Sequence, residues 1–208
     1  MDVSMVVVGY NEWDTLTVPL LESAKRTSPT MELVCVDNGS NPPYPGMDGV
    51  KMVRAEKEGS SYASALNLGV HNASTDWLVL VNNDVIIHKD IMTEIQRLAD
   101  NVLYGFYVWQ ASEDLFTWSY LSSWCYIMHR NVFDTVGEFD EKCAPMFFED
   151  ADYCKRMANA HMACEVMDCE LWGIEHLQGN RRMERNAYLR RNNEARNKIR
   201  DYVRGKHA

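Results

Sequence analysis

The chain has 208 residues, of which 46% are hydrophobic and 25% charged, which is enough for one globular domain with a filled core. No apolar stretch approaches the roughly 20 residues of a membrane-spanning helix, and the N-terminus lacks the basic region of a signal peptide. Six cysteines are scattered without a Cys-x-x-Cys pair. This spacing argues against a zinc site and predicts free thiols in a reducing, cytoplasmic compartment.

The net charge of −9 hides an asymmetry between the body of the chain and its C-terminus. Residues 180–208 contain ten Lys and Arg against three Asp and Glu and carry +7, whereas residues 1–179 contain 11 against 27 and carry −16. Such an acidic body does not suit generic nucleic-acid binding. We expect one domain over residues 1–179 and a basic C-terminal helix over 180–208. That helix either docks on the acidic body or makes peripheral contact with anionic lipid.

Predicted strands and helices alternate through residue 100. Short apolar runs predict strands at residues 3–8, 33–36, 50–53 and 77–81. Apolar residues at helical spacing predict helices at residues 16–24, at residues 60–70 with Ser60 as the N-cap, and at residues 91–99. This alternation is typical of βαβ units, so we expect an α/β domain with a mainly parallel central sheet flanked by helices.

The second half of the chain is less regular. Residues 102–129 are rich in aromatic side chains, which could form either strands or a lid over a pocket. A helix is predicted to begin at Glu149, with a strand at residues 162–167 after it. Residues 181–204 predict a basic helix with one apolar stripe.

Polar residues follow the first, second and fourth predicted strands. They are the runs Gly9-Tyr10-Asn11-Glu12, Asp37-Asn38-Gly39-Ser40 and Asn82-Asn83-Asp84. In open α/β sheets the carboxyl ends of the strands bind ligands, so we expect these polar groups to gather there. Asp84 is placed to hold a divalent cation, and a hard cation with few protein carboxylates commonly brings phosphates with it. The ordinary alternative is a turn at the end of the strand.

Three carboxylates open the helix predicted at residue 149. Glu149, Asp150 and Asp152 lie in its first turn, where the positive end of the helix dipole stabilises ionised groups. Arg156 lies four residues after Asp152 and can pair with it. The cluster could supply an acid or base, or it could simply cap the helix.

Six short motifs in order give the chain a family resemblance. They are Val-Val-Gly-Tyr-Asn-Glu at 7–12, Val-Asp-Asn-Gly-Ser at 36–40, Ala-Leu-Asn-Leu-Gly at 65–69, Val-Asn-Asn-Asp at 81–84, Val-Gly-Glu-Phe-Asp-Glu at 136–141 and Phe-Phe-Glu-Asp-Ala-Asp-Tyr-Cys-Lys-Arg at 147–156. With His176 after them, the chain resembles the GT-A fold glycosyltransferases, most closely family 2. The family usually has Asp-x-Asp where this chain has Asn82-Asn83-Asp84.

The resemblance implies a single GT-A, Rossmann-like domain with glycosyltransferase activity. Such an enzyme would move a sugar from a nucleotide-diphosphate donor to an acceptor hydroxyl, with inversion and with Mn²⁺ or Mg²⁺ as cofactor. A UDP-sugar is the first donor expected and a dTDP-sugar the second. The acceptor would be a glycan, a lipid-linked molecule or a protein.

The resemblance also implies roles for single residues. Asp84 and His176 would be the metal ligands, Asp150 the general base, and Glu149 the second choice for base. The residues implied to surround the donor are Tyr10, Glu12, Asp37, Asn67, Asn83, Trp124 and Arg181. Ordinary structural roles remain open: an Asx turn for Asp37, a solvated first-turn position for Glu12, and core packing for Trp124 and His176.

Two other functional classes compete with this interpretation. A non-catalytic nucleotide-sugar-binding module could share the fold, although Asp84, Asp150 and His176 are all present. A sugar-phosphate nucleotidyltransferase would need a glycine-rich, basic loop after the first strand. Residues 9–13 contain one glycine and no Lys or Arg, which makes that class a poor match.

Overall fold

The computed structural model describes residues 2–55, 60–111, 116–177 and 193–208, and a seven-stranded sheet runs through them. The strands are β1 (Val3–Gly9), β2 (Glu32–Asp37), β3 (Lys51–Arg54), β4 (Trp77–Asn82), β5 (Val85–Ile87), β6 (Val102–Gly105), β7 (Val108–Trp109), β8 (Tyr120–Leu121), β9 (Cys125–His129), β10 (Ala163–Val166) and β11 (Ile174–His176). The helices are α1 (Val18–Thr27), α2 (Tyr62–Asn72), α3 (Met92–Ile95), α4 (Arg130–Val136), α5 (Glu149–Asn159), α6 (Cys169–Trp172) and α7 (Asn193–Lys206), with a π-helical turn, Trp13–Thr17, before α1.

The main sheet has the strand order β10-β6-β9-β4-β1-β2-β3. Neighbouring strands are parallel except for β9, which runs antiparallel to both β4 and β6. Two short antiparallel ladders, β5 with β11 and β7 with β8, lie outside the main sheet. The predicted α/β class with a mainly parallel sheet is therefore confirmed.

The hydrophobic core lies on both faces of the main sheet. Along β1, Val6 and Val8 pack on the face that carries α2, α4 and α5, whereas Met5 and Val7 pack on the face that carries α1. All seven residues of β1 are buried. A strand covered on both faces reads as a continuous apolar run, which is why the first strand was recognisable in the sequence.

Helix α2 approaches the sheet closely at Gly69. A Cβ at this position would lie 2.1 Å from Cγ1 of Val6 and 3.1 Å from Cγ2 of Val36. Only glycine fits at that separation, so the Ala-Leu-Asn-Leu-Gly motif owes its last residue to helix–sheet packing.

Two predicted details of the first half are corrected by the structure. Ser61 rather than Ser60 is the N-cap of α2, because its Oγ accepts a hydrogen bond from Ser64 N at 3.0 Å. Ser60 Oγ instead donates to Asn38 Oδ1 at 2.6 Å. The helix predicted over residues 91–99 is one turn, α3. After Ile95 the bonds tighten to the three-residue spacing (Leu98 N to Ile95 O, 3.1 Å), and the chain turns into β6.

The aromatic region forms strands and core rather than a separate lid in its described part. Phe116, Tyr120, Trp124 and Tyr126 are buried, and the region supplies β6 to β9. Of the predicted basic helix, the described residues begin at 193, so Arg181 lies outside them. Among the described helices, none combines the length and apolar character needed to cross a bilayer.

Candidate active site

The polar runs after β1, β2 and β4 meet at one edge of the sheet. The parallel register places Gly9 beside Asp37 and Val8 beside Asn82. Tyr10 and Glu12 follow β1 at this edge, and the Tyr10 side chain is exposed. The polar runs at the carboxyl ends of the three strands thus meet at one edge of the sheet, as the sequence predicted.

The ladder of β5 and β11 brings Asp84 to His176. His176 pairs with Val85 across the two strands, and Leu177 N donates to Asp84 O at 2.8 Å. As a result, Nε2 of His176 lies 3.3 Å from Oδ2 of Asp84, although the two residues are far apart in sequence.

Both side chains hold a buried atom that lacks a hydrogen bond. Across the described ranges, the buried side-chain atoms without a hydrogen bond are Asp84 Oδ1, His176 Nε2 and Arg200 Nε. Leaving such atoms buried and unbonded is costly. A carboxylate oxygen and an imidazole nitrogen side by side fit a divalent cation, which would satisfy both.

The protein offers this cation few ligands. In the described part of the chain, no group of three or more His, Cys, Asp or Glu side chains converges on one point. An ion at Asp84 and His176 would therefore complete its shell with water or with oxygens of a substrate, which is how Mg²⁺ is bound in phosphate-transfer sites.

Trp124 supports the pair of Asp84 and His176 from one side. Its indole stacks on the His176 ring, with centroids 4.4 Å apart and planes 8° from parallel. Its carbonyl accepts a hydrogen bond from Asn82 N at 2.9 Å, just before Asp84 in the chain. Trp124 is 7% exposed, so it packs in the core and also contacts His176.

The two candidate bases lie buried at the start of α5. Glu149 Oε1 accepts from Ser123 Oγ at 3.0 Å, and Oε2 accepts from Phe147 N at 2.8 Å. Asp150 Oδ1 accepts from Ala151 N at 2.9 Å. The chain enters the helix through two residues with left-handed backbone, Phe147 at φ 101° and Phe148 at φ 62°. Non-glycine residues in that region are strained, and such strain clusters at functional sites.

Burial makes these carboxyls poor acids. It raises the pKa of the Asp150 carboxyl well above its ordinary value, and the neighbouring charge on Glu149 raises it further. Burial also raises the pKa of Glu149, but hydrogen bonds from its own backbone, Ser123 and Phe147 oppose the rise. A carboxylate with a raised pKa accepts a proton more readily near neutral pH.

Ser123 and Tyr62, which sequence reasoning missed, join the two halves of the site. Ser123 binds Glu149, and the next residue, Trp124, stacks on His176. The Tyr62 hydroxyl donates to Ser123 O at 3.1 Å. Burial raises the pKa of this phenol well above its ordinary value, and the next largest contributions come from the charges of Glu149, Asp84 and Asp150.

Asp37 organises the loop after β2. Its Oδ1 accepts from Ser40 N at 2.8 Å, and its Oδ2 accepts from Tyr44 N at 3.1 Å and from the Arg54 guanidinium. The predicted turn is therefore present and Asp37 shapes it. A carboxylate offers about four lone-pair positions, so the three bonds leave room for one more donor.

Asn67 and Asn83, two of the residues predicted to surround the nucleotide-sugar donor, form hydrogen bonds to other parts of the protein. Asn67 Nδ2 donates to Phe139 O at 3.0 Å, and its Oδ1 accepts from Phe139 N at 2.9 Å. Asn83 Nδ2 donates to Thr17 Oγ1 at 3.0 Å. Asn67 thus fixes the loop of the Val-Gly-Glu-Phe-Asp-Glu motif, and any effect on a donor would be transmitted by that loop. Near β1, Glu12 accepts a hydrogen bond from Thr15.

Comparison with known structures agrees with this fold. A mannosyltransferase, PcManGT from Pyrobaculum calidifontis in complex with GDP-Man and Mn²⁺, matches with a TM-score of 0.60 at 14% identity, over 80% of this chain and 54% of that one. S. aureus TarS matches with a TM-score of 0.59 at 16% identity, over 80% and 35%. TarS 1-349 in complex with UDP matches at 0.58 and 16%, over 82% and 62%.

These structures are longer than the present chain, which spans roughly a third to three fifths of their length. No curated protein sequence matches the chain closely enough to count as a relative. The family model "Glycosyl transferase family 2" matches residues 4–154, well over half of the chain. The GT-A architecture, the six motifs and this match agree, and the chain belongs to glycosyl transferase family 2.

Proposed function

We propose that this chain transfers a sugar from a nucleotide-diphosphate donor to an acceptor hydroxyl by a single displacement that inverts the anomeric centre. One observation carries the proposal. Asp84 and His176 present two buried, unbonded ligand atoms, and through Trp124 and Ser123 they adjoin the buried carboxylates of Glu149 and Asp150. Membership of the family supports the same reaction class.

Asp84 and His176 are the proposed ligands of Mn²⁺ or Mg²⁺. The complex of PcManGT with GDP-Man and Mn²⁺ supports a divalent ion in this fold. When bound, such an ion would neutralise charge that develops on the leaving diphosphate. Trp124 would hold the His176 ring in place for it, as residues around metal ligands commonly do.

Asp150 is the proposed general base. Both oxygens of Glu149 bind groups that hold the start of α5, Ser123 and the backbone of Phe147, which suits a structural role. Asp150 has the larger rise in pKa because it is buried next to Glu149. It would take the proton of the acceptor hydroxyl as that oxygen attacks the sugar.

The proposed donor is a UDP-sugar first and a dTDP-sugar second. UDP in TarS 1-349 and GDP-Man in PcManGT, both of this fold, make UDP- and GDP-sugars the donors to compare. Tyr10, Glu12, Asp37 and Asn83 are proposed to contact the nucleotide. Support for this proposal is that Tyr10 and Glu12 follow β1, Asp37 ends β2 and Asn83 follows β4. Arg181 stays a proposal for the diphosphate, and a glycan, lipid-linked molecule or protein stays the proposed acceptor.

Calorimetry with a panel of nucleotide-sugars, with and without Mn²⁺, tests the donor site. We expect at least one donor to bind in a Mn²⁺-dependent manner. Asp84→Ala should remove this dependence, whereas the exposed loop carboxylate removed by Asp48→Ala should not matter. Equal donor and Mn²⁺ affinity in Asp84→Ala would show that the ion lies elsewhere.

The anomeric configuration of the product, read by NMR, tests the displacement. Inversion is expected if Asp150 activates the acceptor directly, and retention would rule out a single displacement. Donor binding without transfer or hydrolysis, for every donor and acceptor class, would favour the non-catalytic module instead.

A further inference from the structure

Helix α7 packs against the face of the sheet that carries α5. Its Ile199 and Val203, one turn apart, are 5% and 0% exposed. They belong to the same core cluster as Ala151 and Met157 of α5. Burial of this apolar stripe fixes the helix on the body of the protein, and it leaves the polar C-terminal end of α7 beside the first turn of α5.

The C-terminal end of α7 binds the Asp152 side chain. This carboxylate is fully buried. Its Oδ1 lies 2.7 Å from Lys206 Nζ and 2.9 Å from His207 Nε2, and its Oδ2 accepts from Arg156 Nε at 2.8 Å. Burial alone would raise the pKa of Asp152, but the bonds from Lys206, Arg156 and His207 outweigh it and hold the pKa below its ordinary value.

Lys206 also binds a second carboxylate, Asp140. Its Nζ lies 2.7 Å from Asp140 Oδ2, which also accepts from the Tyr202 hydroxyl at 2.7 Å. Despite burial, the bonds from Lys206, Tyr202 and the Lys142 backbone lower the pKa of Asp140 to about 2. One lysine thus ties α5 to the loop that contains Asp140.

These contacts reach the start of α5, two residues from the proposed base. Trp118 Nε1 donates to Ala151 O at 3.0 Å, and the His207 ring meets the edge of Trp118 with centroids 5.8 Å apart. At the strained entry of the helix, the Arg196 guanidinium lies 5.1 Å above the Phe148 ring. Helix α7 therefore contacts the turn that carries Asp150 both before and after that residue.

We propose that α7 positions the general base, with Lys206 and His207 as positioning residues that act through Asp152. The proposal rests on the proposed function, since it assigns the helix a part in that reaction. Neither side chain touches the reacting atoms. They fix the first turn of α5, which is entered through a strained backbone, so that the Asp150 carboxylate stays in place. A displacement of about 1 Å can cost about 100-fold in rate.

Lys206→Met tests this positioning role, with Lys198→Met as the matched control on the same helix. Lys198 pairs only with Glu194 in the described contacts, and its side chain is 74% exposed. We expect Lys206→Met to lower kcat by about 10- to 100-fold and to leave donor affinity in the presence of Mn²⁺ unchanged. Lys206→Arg should restore most of the rate, and Lys198→Met should behave like wild type.

Amide hydrogen exchange of the same variants needs no substrate. We expect faster exchange confined to the first turn of α5 in Lys206→Met but not in Lys198→Met. Unchanged exchange there would overturn the positioning role, whatever the fate of the proposed activity. If exchange rises as expected but no variant and no wild type transfers sugar, the proposed function fails instead.

Two kinetic results would also overturn the positioning role. One is a folded Lys206→Met with wild-type kcat, and the other is a parallel loss of donor affinity and kcat, which a general loss of structure would cause. If Lys206→Met does not fold, His207→Phe takes its place. That change keeps a ring against Trp118 and removes the nitrogen that meets Asp152, and it should give the same split between kcat and donor affinity.

Discussion

The first turn of α5 holds carboxylates in two opposite settings. In the described part of the chain, Glu149 and Asp150 receive hydrogen bonds from Ser123 and from backbone N–H groups, and neither pairs with a Lys or Arg. Asp152, two residues on, meets three basic side chains, Arg156, Lys206 and His207. All three side chains are shielded from solvent, and the charges around them differ.

Within one turn of helix, Asp150 and Asp152 affect the stability of the fold in opposite ways. Because the pKa of Asp150 is raised in the folded state, its ionisation costs folding free energy, and stability falls as the pH rises through the raised pKa. The pKa values of Asp152 and Asp140 are lowered, so these groups stabilise the fold above their unfolded pKa values and lose that effect only as the pH falls toward the folded ones.

The largest effect is expected for the base. Asp150→Asn keeps the size of the side chain but cannot take the acceptor proton, so transfer should fall by about 10²–10⁴-fold. Affinity for donor and metal should survive, because those contacts are assigned to other residues. Steady-state kinetics and calorimetry measure the two quantities separately.

Glu149→Gln is the matched control for that change. It keeps the size of the side chain and one acceptor oxygen for Phe147 N, while the Ser123 hydroxyl can turn to accept from the new amide. It should therefore reduce transfer less than Asp150→Asn. Near-normal turnover in Asp150→Asn, or a larger loss in Glu149→Gln, would reverse the assignment of base and structural carboxylate.

Removal of the charge on Asp152, the carboxylate that pairs with basic side chains, should lower the free energy of unfolding. Asp152→Asn removes a fully buried anion, while its partners Arg156 and Lys206 are 18% and 30% exposed and can turn toward solvent. The loss should therefore be about 1–3 kcal/mol, the usual cost of losing hydrogen bonds to a charged group. Denaturant unfolding at neutral pH measures this loss. The comparison would break down if Asp152→Asn were as stable as wild type.

Asp37 is a further buried carboxylate and sharpens the comparison, since Arg54 pairs with it. Asp37→Ala should weaken UDP binding by about 1–3 kcal/mol, the usual cost of losing a charged hydrogen bond. Calorimetry with UDP provides the measurement, and Arg54→Gln, which keeps the carboxylate, is the control. Unchanged UDP affinity in Asp37→Ala would leave Asp37 only its role in the turn.

The smallest expected effect is a gain in the stability of the fold. Asp150→Asn removes a buried carboxylate that is costly to ionise, so it should raise the free energy of unfolding near neutral pH by about 0.5–2 kcal/mol even though it slows transfer. Thermal or denaturant unfolding can detect a change of this size. A loss of stability would mean that the buried Asp150 carboxylate does not destabilise the fold near neutral pH.

Much of the fold follows from local patterns in the sequence. The first, second and fourth strands are recognisable because they are apolar along their length, and the polar breaks after them meet at one edge because parallel strands share a direction. The helix predicted at 91–99 is present as α3 but ends earlier, because apolar spacing does not show that the turn after Ile95 tightens toward β6. Nor does the pattern distinguish Ser60 from Ser61 as the cap, since either hydroxyl could serve.

The site could be predicted only where a single residue carries the signal. Asp84 and Asp150 stand out as polar groups at a strand end and a helix start. Ser123 and Tyr62 do not, because each is an ordinary residue whose position depends on the folded sheet. The contact of Lys206 with Asp152 joins residues 54 positions apart, and only packing of Ile199 and Val203 brings them together.

A carboxyl ¹³C NMR titration of the folded protein tests the central contrast most directly. The Asp150 signal is identified by its loss in Asp150→Asn, and the Asp152 signal by its loss in Asp152→Asn. We expect Asp150 to titrate well above the ordinary range for aspartate and Asp152 to titrate below it. Titration of Asp150 in the ordinary range, or an Asp152 pKa above that of Asp150, would contradict the assignment of Asp150 as the buried base and Asp152 as the paired anchor.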